Sequence, residues 1–205
     1  MKPSHVIIII LLISIIGFVY YSMRRGQSDE GYNKTILQER EDKNAFMKGD
    51  ESPFKDTTEV FSGLKYFAPD LKYRVSANLE EVENKKVVIL STSDGKEQKY
   101  LEYAYAKFSM DGVDNKLLLL EIMDMGPQRG KLFLAFADAT SAMETYGAGR
   151  YLDVKKVPGA GSITLDFNLA YNPYCAYSDT FSCPFPPKEN ILKVAISAGE
   201  KTYHD

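Results

Sequence analysis

The chain has 205 residues, 44% hydrophobic and 26% charged, and a net charge of -3. Once an N-terminal apolar segment is set aside, that length supports one sizeable core and excludes a second domain of ordinary size. Lys2 is the only one of the 25 basic residues before position 24, so 24 Lys and Arg face 28 Asp and Glu in the remainder. With no basic cluster, a phosphate-neutralising groove for nucleic acid is excluded.

Val6 to Met23 is uncharged and dominated by isoleucine and leucine. As a helix these 18 residues would span roughly 27 Å, close to a hydrocarbon core, with Tyr20 and Tyr21 at one interface. The run exceeds the h-region of a signal peptide, and no small-residue cleavage site or cysteine follows it, so an uncleaved anchor is expected. Charge hardly orients it, since Lys2 precedes the run and Arg24 and Arg25 follow. The short N-terminal tail resembles a signal-anchor, so the expected topology is single-pass, with the N-terminus cytoplasmic and the C-terminal domain periplasmic or otherwise extracytoplasmic. Three regions follow: the membrane anchor over 1–23, a polar linker with a short helix over 24–53, and a β-rich domain over 54–205.

Between about Asn33 and Lys48 a helix is expected, with a thin stripe of Ile36, Leu37, Arg40, Asn44 and Met47, and its default role is a spacer from the membrane. The sequence then turns to strands. Tyr73, Val75, Ala77 and Leu79 alternate with polar residues, and aromatic-rich Lys99 to Met110 lies between turn signals at Ser93-Asp94-Gly95 and Asp111-Gly112. Further strands are expected at 86–92, 117–123, 131–137, 150–155, 162–168 and 191–198. The tyrosine and phenylalanine content, 14 and 11 residues, agrees with this bias. The expected fold is mainly β, an antiparallel sandwich or a partly open barrel, preceded by a transmembrane helix and a short helix.

Only His5 and His204 exist, both near the ends, which argues against Ser-His-Asp or Cys-His catalysis and against a zinc site. The clusters Tyr146-Gly-Ala-Gly-Arg150 and Pro158-Gly-Ala-Gly-Ser162 lack the third glycine and the Gly-Lys pair of nucleotide loops, and read as tight turns. No cofactor is implied. Cys175 and Cys183, eight positions apart, are expected to form a disulfide if the domain is exported; free thiols, or a redox or metal pair, are the alternatives. A polar set of Asp138, Glu144, Arg150, Asp166, Asn168, Asn172 and Glu189 lies near glycine and proline turns. Either these residues satisfy buried backbone groups of an irregular corner, or they converge on a ligand, with Arg150 as anion clamp and Asp166 and Asn168 orienting it.

The motifs Phe136-Ala-Asp-Ala-Thr-Ser141, Thr145-Tyr-Gly-Ala-Gly-Arg-Tyr-Leu152, Leu165-Asp-Phe-Asn168, Ala170-Tyr-Asn-Pro-Tyr-Cys-Ala-Tyr177, Cys183-Pro-Phe-Pro-Pro187 and Ala198-Gly-Glu-Lys201 resemble the signature of the uncharacterised DUF1684 family. Phe61 to Phe67 and Tyr73-Arg-Val75 match its entry pattern, and the resemblance spans roughly residues 38 to 203. It implies no activity and no site residues. Two positions depart from the family pattern: Leu169 stands where many members have arginine, and Ala142 where glycine is usual. The functional expectation is a membrane-tethered, non-enzymatic binding domain at the cell envelope, with an envelope protein as partner. The alternative is a carboxylate-based enzyme or small-ligand receptor around Arg150 and Asp166.

Overall fold

The computed structural model describes residues 14–15, 29–55 and 60–204. Among these, no helix is long and apolar enough to cross a membrane, and the expected anchor, Val6 to Met23, lies almost entirely outside the described residues.

Among the described residues, seven strands build one antiparallel sheet: β1 (Arg74–Glu81), β2 (Val87–Ser91), β3 (Glu97–Met110), β4 (Val113–Ile122), β5 (Leu132–Phe136), β6 (Arg150–Val154) and β7 (Ser162–Asp166). The order is β6-β5-β4-β3-β1-β7, with β2 paired to the upstream half of β3. The sheet is curled into a half-barrel, in which β6 and β7 approach each other without pairing. Of the two expected architectures, the partly open barrel is closer; among the described residues two packed sheets are not formed.

Alternation sets the faces. In β1, Val75, Ala77 and Leu79 turn inward while Arg74, Ser76, Asn78 and Glu80 stay wet. β3 and β4 meet at a two-residue hairpin in which Asp111 (φ 53°) and Gly112 (φ 75°) both take positive φ, the geometry that matches strand twist. A bulge between Glu102 and Ala104 moves the register by one residue, so side-chain parity reverses along β3. Tyr100 and Tyr105 therefore face one cluster with Leu90, Leu118 and Leu120, whereas Ala106 and Phe108 face the main core with Leu117, Leu119, Leu134, Phe136 and Leu165. The run Leu117–Leu120 is buried throughout because β4 has apolar cover on both faces.

The eighth expected strand, 191–198, is absent. Leu192, Ile196 and Ala198 are buried, yet their segment is an irregular strap that spends its backbone groups on Ala137, Asp138, Ala139 and Arg150 instead of on a neighbouring strand. Gly199, at φ 74°, lets this strap pass over the 3-10 turn Phe167–Leu169; a Cβ there would lie 2.6 Å from the Ala170 carbonyl oxygen and 2.7 Å from that of Phe167.

Residues 29–47 are helical (α1), starting earlier than the sequence pattern suggests. α1 is not a free spacer. Ile36, Arg40 and Met47 are buried against the domain, while Leu37, counted in the expected stripe, is 55% exposed.

Candidate functional site

The expected polar set separates in space. Arg150, at the start of β6, is wholly buried. Its Nη2 donates to Asp138 Oδ2 at 2.8 Å and to the Ile196 carbonyl at 2.9 Å, and its Nη1 donates to the carbonyls of Ala198 and Glu200. Asp138 Oδ1 accepts from the Thr140 amide and hydroxyl and from the Ile196 amide. The guanidinium fork thus holds the C-terminal strap to the sheet, and it has no solvent face to offer an anion.

Asp166, at the end of β7, caps the turn Phe167–Leu169 through the Asn168 amide and accepts the Tyr32 hydroxyl of α1 at 2.9 Å. Burial, with the Asp166 carboxylate beside it, pushes the Tyr32 hydroxyl well above its usual range. Asn168 closes the Asp70 turn, accepting the Asp70 amide at 2.9 Å and donating to its carbonyl at 2.8 Å. Glu144 is exposed and stands apart. These residues satisfy an irregular backbone in several places and do not converge on one cleft.

Asn172 leads to a residue the sequence reading did not single out. Glu200 is wholly buried; its carboxylate accepts from the Asn172 side chain at 2.9 Å, from the Tyr177 hydroxyl, and from the Lys43 ammonium of α1 at 3.3 Å. Burial holds the Glu200 carboxyl above the ordinary carboxylate range against the pull of Lys43, and lowers the Lys43 ammonium in turn. A lone glutamate after glycine near a C-terminus gives no sign of burial, because the tyrosine and lysine that compensate it are distant in sequence.

Lys43 also forms part of a cleft of about 790 Å³ between α1, β6 and the segment from Asn168 to Pro184. Its aromatic lining is Tyr66, Tyr151, Tyr171, Tyr174 and Phe181. Lys43 lies 4.1 Å over the Tyr171 ring, and Arg40 lies 4.6 Å over the Tyr66 ring. The Arg40 guanidinium is already committed to the carbonyls of Phe67 (2.8 Å) and Asn168 (3.2 Å). Three carboxylates, Glu39, Asp42 and Asp153, border the same space, and Asp153 accepts the Tyr171 hydroxyl at 2.8 Å. Of the residues expected to form a pocket, only Asn168 lines it.

Cys183 lines the cleft and Cys175 lies beside it, both as free thiols; the expected disulfide is not formed. The two cysteines are in contact, with the Cys175 amide donating to Cys183 Sγ at 3.2 Å. Their loop is fixed without a covalent link. The Ser93 amide donates to the Cys183 carbonyl at 2.9 Å, the Cys183 amide to Ser93 Oγ at 3.1 Å, and the Ser182 hydroxyl to Asp94.

The family model for a protein of unknown function, DUF1684, matches residues 59–201, which covers the sheet, the Arg150 fork, the cysteine loop and most of the strap. The chain belongs to the DUF1684 family. The DUF1684 fold recurs in an uncharacterized protein of Haloarcula marismortui, known from a solution NMR structure. That protein is 37% identical, aligns over 87% of this chain and 98% of its own, and superposes with a TM-score of 0.64. No curated protein matches the chain. The likeness extends beyond the family match, since 87% of the chain exceeds what residues 59–201 alone would supply.

Proposed function

We propose that this DUF1684 domain is a non-enzymatic binding domain, tethered at the cell envelope by Val6 to Met23, and that its site is the cleft beneath α1. The observation that carries this reading is the cleft's lining of five aromatic side chains beside exposed carboxylates, in a domain without a histidine-based catalytic set. Both cations at the cleft are committed within the protein, Arg40 to carbonyls and Lys43 to Glu200. Three carboxylates remain at the border. That balance disfavours anions and suits a small neutral or cationic molecule with a flat apolar face and hydroxyl or amino substituents. A catalytic reading around Arg150 has less support, because the guanidinium is sealed from solvent.

Chemical-shift perturbation with a panel of an oligosaccharide, an aromatic amine and an aromatic carboxylate tests the assignment. The expected result is perturbation of Tyr171, Tyr174 and Leu169 amides by the first two classes only, weakened by Leu169→Arg. Shifts centred on the separate depression formed by Phe67 to Tyr73 and Ser197 would overturn it. Tethering and topology are tested by protease treatment of intact spheroplasts: cleavage of the domain is expected, and full protection would refute the orientation.

A further inference from the structure

Cys175 and Cys183 are a pair the binding role does not use. Cys175 is half-buried, and Cys183, at the cleft wall, is 7% exposed, so Cys175 is the more accessible of the two. The loop between them is braced by Tyr174 against Phe181, with ring centres 5.2 Å apart, and by Ser93 on the neighbouring turn. The Tyr146 hydroxyl lies 3.9 Å from Cys175 Sγ. The Cys175 amide donates to Cys183 Sγ at 3.2 Å, so the two cysteines are in direct contact.

We propose that Cys175 and Cys183 form a hydroperoxide-reactive dithiol, in which Cys175 attacks and Cys183 resolves. The Cys175 thiolate attacks the terminal oxygen of a hydroperoxide; the O–O bond breaks, and the departing alkoxide takes a proton from solvent to leave as alcohol. Cys175 is then a sulfenic acid. The Cys183 sulfur attacks Cys175 Sγ, the S–O bond breaks, and the leaving hydroxide combines with the Cys183 proton as water. Two thiols lose two electrons and two protons, and one hydroperoxide becomes one alcohol and one water.

The asymmetry of the pair favours this division of roles. Hydrogen bonds from Cys183 first, then from Ser93 and Tyr146, pull the Cys175 thiol down to about 6, whereas the hydrogen bond to Cys175, with burial, pushes Cys183 up. The half-buried Cys175 thus favours the thiolate, and Cys183 keeps the proton used in the second step.

The test uses the full chain with hydrogen peroxide. Wild-type protein is expected to lose both alkylatable thiols and the mass of two hydrogens, reversibly on adding dithiothreitol. Cys183→Ser should instead accumulate a sulfenic acid at Cys175 that dimedone traps, and Cys175→Ser should react no faster than a buried thiol. The wild-type rate should be half-maximal near pH 6, against about 8.5 for an ordinary thiol. Two thiols that remain fully alkylatable in peroxide-treated wild-type protein, dimedone labelling at Cys183, or a half-maximal rate at the ordinary thiol value would each overturn the proposal. The wild-type readouts decide it even if a serine variant misfolds.

Discussion

Single residues carry strain and charge that the sequence only hinted at. Ala142 sits at φ 62°, in the left-handed region where a Cβ is disfavoured. Ala142→Gly should therefore stabilise the domain by roughly 0.5–1 kcal/mol, the relief of strain exceeding the entropy glycine adds to the unfolded chain. Urea denaturation checks this, and a loss of stability would show that the turn is relaxed. Glu200 gives a pH signature instead. Its carboxyl is raised when folded, so the folded state holds its proton more tightly, and the stability it contributes is greatest below the ordinary carboxylate range. That contribution is lost as pH rises through the folded value. Glu200→Gln removes the effect, and Lys43, lowered by burial, sheds its charge more readily at high pH. The variant should thus gain on wild type as pH rises from 5 towards 8, measured as the difference in urea midpoints; a gap that widens against the variant would contradict the assignment. Asp138, Arg150, Asp166, Asn168 and Asn172 stood out in the sequence as polar residues beside turns. Their partners did not, because pairs such as Lys43 with Glu200 leave no local pattern.

At the scale of elements, strand positions were legible because alternation and turn chemistry are local. β1 to β7 fall within a few residues of their expected places, and the Asp111-Gly112 hairpin forms as its residue types demand. Two readings failed for tertiary reasons. The segment 191–198 has the apolar content of a strand but meets carbonyls and a guanidinium where a strand would need a partner. α1 looked like a spacer because its apolar stripe is thin, yet polar ties dock it: Tyr32 to Asp166, Arg40 to Phe67 and Asn168, Lys43 to Glu200, and the Leu64 amide to Asn44. Arg40→Ala removes two charge-assisted bonds and leaves their carbonyls without that donor, a loss of roughly 1.5–3 kcal/mol for the helix's attachment. The expected consequence is local. Hydrogen exchange in α1 should accelerate about 10- to 100-fold while β4 amides keep their protection. Acceleration spread evenly over the sheet would mean that α1 and the half-barrel open as one unit.

For the molecule as a whole, the open side of the half-barrel decides stability, because β6 and β7 do not pair and something else must hold the sheet's curl. The C-terminal strap does so. It places Leu192, Ile196 and Ala198 in the main core, while Glu200 reaches Asn172 and Tyr177, and Tyr203 packs with Phe54 and Tyr177. Arg150 joins the strap to β6, and through Asp138 to the turn after β5. Removing it by Arg150→Met would keep most of the side-chain volume but leave Asp138 a buried, unpaired carboxylate and three carbonyls without that donor. One partner lost from a buried pair costs about 3–5 kcal/mol, a large share of the stability of a domain this size. Because the strap touches both ends of the sheet, exchange at β1, β4 and β6 should accelerate together and the urea midpoint should fall, in contrast to the local response at Arg40. Loss of protection confined to the strap, with the sheet unchanged, would falsify the view that this buried arginine closes the half-barrel and would place the sheet's stability in the β3–β4 hairpin alone.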